Sequence, residues 1–409
     1  MNRNIYLIIT PTISNIGGSQ IYSLNKYHFL EKKQYGVFIL HANIGDTISI
    51  EEMKVLKKLG VDEFKFPSYF FSSKKNSELI EKIIRKLQIL PSDSVIIESH
   101  TITCATWGEI LASELRAKHF VYLLSEYPKI GSRGLYEFLK FKYYRKELAG
   151  ISNKSLRFLF KDYIKIEEDK NYSLSATCSN VLDDVQLSFS IPYENYDYII
   201  ASIGRIDKPY IIDSIDDIIR FSDNVSNKNV LLVLIGGGSN KVQKLIRKKI
   251  KNRKNIGLYI TGNIYPIPIS LIKIPNVFLT TAGSCNVSDR IGKITISFDV
   301  NDLKPIGIYH QTTNNTTYRD KNEPILSLYD LLNDVLINKV YHETLRKIDI
   351  KEINNIDFTD HINFILSGEE TKKYYDISQI SKSFRDKVRI ICIKMFGINL
   401  FFKIKKIKK

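Results

Sequence analysis

The sequence is short of cysteine, proline and tryptophan, lacks any long apolar run, and carries fewer acids than bases. Each shortage removes a class of protein. The four cysteines, Cys104, Cys178, Cys285 and Cys392, stand far apart with no C-x-x-C spacing and no neighbouring histidine pair. That excludes a zinc knuckle and a disulfide framework, so they read as small buried apolar residues. With 11 Pro and 20 Gly in 409 residues and 44% hydrophobic content, collagen-like, coiled-coil and disordered chains are excluded. No stretch reaches the roughly 18 uncharged apolar residues of a membrane span. The opening Met1-Asn2-Arg3-Asn4-Ile5 lacks the apolar region and cleavage site of a signal peptide, so a cytoplasmic protein is expected. The 60 Lys+Arg against 44 Asp+Glu give a formal charge of +16. This suits an anionic partner such as nucleic acid, nucleotide or membrane, and equally a general richness in Ile, Lys, Asn and Tyr.

What is present is a repeating alternation. Asn4 to Thr10 is a short, β-branched apolar run of the kind buried on both faces of a sheet. Gly17-Gly18-Ser19 leads into a helical spacing over 20–30, and Tyr35 to Leu40 reads as a second strand. Strand, glycine turn, helix and strand make a βαβ unit with a parallel sheet. Helices near 77–87 and 106–115 and strands at 94–98 and 119–124 continue it. The pattern weakens between 165 and 196. A second series follows, with strands at 198–204, 230–235, 256–260, 277–280 and 294–298. The expected fold class is therefore α/β, two Rossmann-like domains facing across a cleft. Expected limits are 1–192 for the first domain, 193–370 for the second, and 371–409 for a C-terminal helix and basic tail.

Open α/β sheets bind ligands at the carboxyl ends of their strands. There the first domain offers Gly17 and Gly18, His100 after the strand at 94–98, and Glu126 after the strand at 119–124. Glycines admit a ligand to backbone N–H groups, the imidazole accepts or donates near neutral pH, and the carboxylate suits sugar hydroxyls. A tight turn, a structural histidine and a surface acid are the plain alternatives. The second domain offers Gly204-Arg205-Ile206-Asp207-Lys208, where Arg205 and Lys208 suit a diphosphate, and then Gly236, Asn263 and Ile264, and the loop with Gly283, Ser284, Asn286 and Ser288. Solvated charges and loop filler are the alternatives here.

The order of these motifs resembles the GT-B glycosyltransferases, in particular the large family 4 of retaining, nucleotide-sugar-dependent enzymes of the bacterial surface-polysaccharide type. Gly17-Gly18 resembles their N-terminal glycine turn, and Gly204-Arg205 with Lys208 their phosphate-binding segment. The resemblance spans about residues 5 to 340. It implies Arg205 and Lys208 on the departing diphosphate and His100 beside the transferred sugar. Gly17, Gly18, Gly236, Asn263, Ile264, Gly283, Ser284, Asn286 and Ser288 would meet the donor and Glu126 the acceptor, with no metal and no cofactor beyond the donor substrate. The family's usual glutamate pair is missing, since 282–292 holds no glutamate.

The activity expected is transfer of a sugar from a nucleotide-diphosphate sugar to a growing cell-surface glycan, with a glycan or lipid-linked acceptor and no nucleic acid partner. A sugar-nucleotide epimerase of the same fold, or a non-catalytic basic protein binding anionic glycan or nucleic acid, are the rival readings. The tail from Val388 to Lys409 is apolar, aromatic and basic, which suits the anionic inner face of the cytoplasmic membrane.

Overall fold

The structure, a computed structural model, describes residues 3–13, 17–41, 61–63, 73–161, 164, 166, 172–178, 180–344, 354, 356–369, 372–380 and, within 384–396, residues 384, 387, 388, 390–392 and 394–396. The chain forms two compact units, Met1–Cys178 with Ile356–Lys409, and Ser179–Asn355. The division falls before the expected 192, and the chain re-enters the first unit ahead of the expected 370. The reason is aromatic: Phe358 and Phe364 sit against Tyr22 and Phe120 at ring distances of 5.3 and 5.7 Å.

The first unit holds β1 (Asn4–Thr10), α1 (Gly18–Lys32), β2 (Gly36–His41), β3 (Val61–Glu63), α2 (Ser73–Leu87), β4 (Ser94–Ser99), α3 (Ile102–Leu115), β5 (Lys118–Leu123), α4 (Arg133–Tyr144), β6 (Leu148–Gly150), α5 (Asn153–Phe160) and α11 (Thr359–Leu366). Its strands are parallel in the order β3-β2-β1-β4-β5-β6. Period-two alternation divides β1. Ile5, Leu7 and Ile9 join a core with Ile83 of α2 and Trp107 and Leu111 of α3, while Tyr6 faces the other side. Each such buried aliphatic side chain stabilises the fold by about 1.5–3 kcal/mol.

The second unit holds β7 (Leu182–Asp183), β8 (Tyr198–Ile203), α6 (Pro209–Asn224), β9 (Val230–Ile235), α7 (Asn240–Ile250), β10 (Ile256–Ile260), β11 (Ile267–Pro268), α8 (Ile269–Lys273), β12 (Val277–Thr280), α9 (Gly283–Asp289), β13 (Thr295–Phe298), β14 (Pro305–Ile308) and α10 (Leu328–Leu336). Its main sheet runs β10-β9-β8-β12-β13-β14, and only β14 is antiparallel to its neighbour. Alternation again sorts the strands: Ile199, Ala201 and Ile203 enter one core and Ile200 the other, beneath Ile211, Ile215 and Ile218 of α6. The polar, turn-rich stretch that begins at Asp299 runs into β14. Its Pro305 opens an edge strand, the place where a missing N–H does least harm. Cys104 and Cys285 are buried as expected, but Cys178 and Cys392 are only partly so.

In each sheet the order reverses once, between β1 and β4 and between β8 and β12. That reversal opens a crevice at the carboxyl ends of the two strands, where the connections leave in opposite directions.

Candidate functional site

The crevice of the first unit is lined by buried polar groups. Glu98, near the end of β4, is fully buried. Its Oε1 accepts from Tyr22 Oη at 2.7 Å and its Oε2 from Lys26 Nζ at 2.6 Å and Tyr6 Oη at 2.5 Å. Burial alone would push this carboxyl up, but Lys26 and His100 hold it well below the usual carboxylate range. His100 Nε2 lies 2.9 Å from Glu98 Oε1, and an ionised carboxylate has no proton to give. The imidazole therefore donates through Nε2, and in the tautomer this fixes Nδ1 is the acceptor nitrogen.

That Nδ1 is buried and has no partner among the described residues. Thr10 Oγ1, at the end of β1, is likewise buried and without a partner among the described residues. Ile9 pairs with Ser99 in the ladder, so Thr10 and His100 follow side by side, and Tyr6 and Glu98 mark the shared face. Buried polar atoms are nearly always hydrogen-bonded, so two adjacent exceptions at a switch point call for a ligand as their explanation.

His361 of α11 completes the support. Its Nε2 donates to Ser175 O at 2.9 Å, which leaves Nδ1 to accept, 3.4 Å from Lys26 Nζ. Burial, with the Lys26 charge adding, pushes His361 down to about 3, so it stays neutral. Lys26 thus has acceptors for all three protons: Glu98, Tyr22 Oη at 3.0 Å and His361. Tyr6, Tyr22, Lys26, Glu98 and His361 were not singled out by motif. A lysine on a helix otherwise buried nearly all round was the available signal.

Gly17 and Gly18 open α1 and sit where the sequence reading placed them. Gly17 is extended (φ −164°), and α1 has no side-chain cap and no acid in its first turn. A Cβ on Gly18 would meet only Cys178, at 3.6 Å, so the fold itself does not demand glycine there. Glu126 follows β5, one strand further from the switch point, and is half-buried. On the opposite face of β4, Ser99 Oγ, His119 and Glu109 line up at 3.0 and 2.6 Å like a nucleophile, base and acid. All three are sealed in the core, and Lys142 neutralises Glu109 from 2.6 Å, so the set is structural.

The crevice of the second unit is made of close-packed loops. Gly204 takes φ +121° and Gly236 φ +154°, and a Cβ on Gly236 would fall 1.9 Å from Gly204 O. Gly236 is thus required by the packing of one loop on another, a structural reason for glycine at this position. A Cβ on Gly204 would meet Ser284 Oγ at 3.4 Å and Lys208 Nζ at 3.8 Å. The loop after β8 and the start of α9 after β12 therefore bring Gly204, Lys208 and Ser284 together. A Cβ on Gly237 would strike the Asn263 side chain at 2.3 Å, which places exposed Asn263 beside the same loops.

The remaining candidates separate. Arg205 is exposed, and its guanidinium meets no partner among the described residues. Asn286 Oδ1 accepts from Tyr309 Oη at 3.0 Å. Ile264 packs on the hydrophobic core. Gly283 begins α9 directly behind Ala282, which takes φ +54°. Ser288 is fully buried, with its hydroxyl 2.7 Å from Thr295 Oγ1 and 3.3 Å from Cys285 O, so it ties α9 to β13 and is withdrawn from the donor set. Arg290 was missed: it is half-buried, and its Nη1 is buried without a partner among the described residues.

The sequence matches no family model and no curated protein. Among solved structures, the chain is similar to a glycosyltransferase from Rickettsia africae, with TM-score 0.53 and 16% identity over 100% of this chain and 98% of that one. It is also similar to HepE of Anabaena in complex with UDP and glucose, with TM-score 0.56 and 12% identity over 89% of this chain and 100% of that one. The same Anabaena protein in complex with UDP gives TM-score 0.52 at 12% identity over 98% of each chain. The fold is that of the GT-B glycosyltransferases, built from two Rossmann-like units.

Proposed function

We propose that the chain is a glycosyltransferase that takes a sugar from a nucleotide-diphosphate donor and passes it, with retention, to a growing surface glycan. The observation that carries this reading is the adjacent pair of buried polar atoms, Thr10 Oγ1 and His100 Nδ1, that have no partner among the described residues, at the switch point of the first unit. A bare imidazole nitrogen and a hydroxyl are suited to sugar or acceptor hydroxyls, and the Glu98 network fixes the tautomer. The structural likeness to a protein that binds UDP and glucose supports a uridine nucleotide sugar as donor.

In this reading the anomeric C–O bond breaks with its electron pair passing to the diphosphate. Lys208, half-buried beside Gly204 and Ser284, stabilises the charge that develops there, with Arg205 reaching in from solvent. The acceptor oxygen forms the new bond and passes its proton to an oxygen of the departing diphosphate. Gly17, Gly18, Asn263, Gly283 and Ser284 contact the donor, and Glu126 the acceptor, with no metal or further cofactor involved. An anionic membrane surface is the working location. Its support is a stripe at helical spacing, Phe384, Val388, Ile391 and Met395, each 42–82% exposed, with exposed Lys387 and Lys394 along one side. The basic stretch 397–409 lies outside the described residues.

The test is a thermal-shift screen against UDP, GDP, CDP and ADP sugars, since a ligand that binds only the native state raises its stability. One nucleotide class is expected to stabilise the protein, with the shift reduced in Lys208→Ala and Arg205→Ala. No shift with any donor from folded protein overturns the reading. Release of an epimerised sugar nucleotide without an acceptor assigns the rival epimerase activity.

A further inference from the structure

The positive charge of the second unit is concentrated. Between Ser239 and Asn255 stand eight lysines and arginines and not one acid. Two are paired with the neighbouring helix, Lys249 with Asp216 at 2.7 Å and Arg253 with Asp223 at 3.3 Å. The other six are exposed and meet no carboxylate among the described residues.

Folding does not call for this arrangement. α7 buries only Ile246 and Ile250, so its outer face was free to carry mixed charge. Instead Lys244, Arg247, Lys248 and Lys251 fall at i, i+3, i+4 and i+7, on one face. Like charges at that spacing repel and weaken a helix, and the favourable field at its C-terminus offsets this only for the last turn. These four, with Arg253, line an open concavity of about 620 Å³ between α7 and the edge strand β10, and the rest of its lining is one asparagine and three aliphatic side chains. Of these five cations only Arg253 meets a carboxylate among the described residues, and a dense cationic surface of this kind is complementary to clustered anions.

We propose that this concavity docks the phosphate-bearing headgroups of an anionic lipid bilayer. It shares the membrane location of the proposed function but names a contact in the other unit, separate from the C-terminal stripe. The lining contains no aromatic ring, so it offers no platform on which bases stack, which disfavours a nucleic acid. Aliphatic groups among the cations, and Leu245 of α7 at 41% exposure, suit the boundary between headgroups and acyl chains. The exposed apolar stripe of the first unit fits the same lipid partner.

The experiment is flotation of the purified full chain with vesicles of phosphatidylcholine alone or mixed with phosphatidylglycerol, at low and high salt. Three proteins are compared: the unaltered chain, a variant carrying Lys244→Gln, Arg247→Gln, Lys248→Gln and Lys251→Gln, and a second variant carrying Val388→Ser and Ile391→Ser. The unaltered chain is expected to float only with the anionic vesicles, and less at high salt. The α7 variant should lose about tenfold or more in vesicle partition, with its nucleotide-sugar thermal shift unchanged. Unaltered partition of the α7 variant, with loss in the stripe variant, overturns this inference and leaves the membrane location standing. No flotation of the unaltered chain overturns both. Tighter binding to single-stranded DNA than to the anionic vesicles reassigns the concavity to nucleic acid, and full release from vesicles by inorganic phosphate reassigns it to a soluble anion.

Discussion

The two crevices are built on the same topology from opposite materials. In the first unit, ionised and polar groups are buried and mutually satisfied around Glu98, and Nδ1 of His100 and Oγ1 of Thr10 are left without a partner among the described residues. In the second, glycine loops pack backbone on backbone, and the cations Lys208 and Arg205 stay half-buried or exposed. Buried polar networks are costly to disturb because each member is held by the others. A surface cation can be removed with little harm to the fold. The first crevice should therefore couple stability to function, and the second should separate them.

The sharpest break is Lys26→Met set against Lys208→Met. The first strands the Glu98 carboxylate in the interior and should cost about 3–5 kcal/mol of stability. The second should cost less than about 1 kcal/mol while weakening nucleotide-sugar binding. Urea unfolding and the thermal-shift assay read the two effects. A Lys26→Met protein as stable as the parent would dissolve the contrast.

Acid should act first on the first unit. His361 is held neutral with its pKa at about 3, below the free value of about 6.5, so its contribution is complete above pH 6.5 and is lost as pH falls. The loss is about 1.4 kcal/mol per pH unit over that interval. His119 is shifted the same way by burial, with Lys142 adding. Glu98 and Glu109 are depressed, Glu109 to about 2, and extend the loss below the ordinary carboxylate pKa near pH 4.5. Trp107, the only tryptophan, is buried in the first unit and reports it selectively. Its emission should change at a higher pH than the circular dichroism of the whole chain. Coincident transitions would mean that the two units respond to acid alike.

Among the glycines, Gly236→Ala should destabilise by about 1–3 kcal/mol, because a methyl cannot occupy the space of Gly204 O. Gly18→Ala should leave stability within about 1 kcal/mol and act only on ligand binding. The smallest contrast lies within one loop. Ser288→Ala should cost about 1 kcal/mol and spare nucleotide-sugar binding, while Ser284→Ala should do the reverse. Equal effects of the two serines on binding would return Ser288 to the donor set.

Much of the fold was legible because its signals are local. A continuous apolar run such as Val230 to Ile235 suits a strand buried on both faces of a parallel sheet, and several of these runs lead into a glycine turn. β14 was hidden because an antiparallel edge strand opening on proline, in a polar stretch, carries no such run. The site was half legible. Strand ends pointed to His100, Lys208 and Ser284, yet the same rule brought in Ser288, since position along a chain does not tell an inward hydroxyl from an outward one.

The sequence by itself determined two βα series, their glycine loops and the strand ends from which any ligand must be approached, since hydrophobic period and turn chemistry act over a few residues. Tertiary structure alone decided what surrounds Glu98. Its partners come from β1, α1 and the residue after β4, and His361 reaches the same cluster from 339 residues beyond Tyr22. Only packing could choose them, because a buried charge is tolerated wherever the folded chain brings enough donors to it, and no local pattern records where that will be.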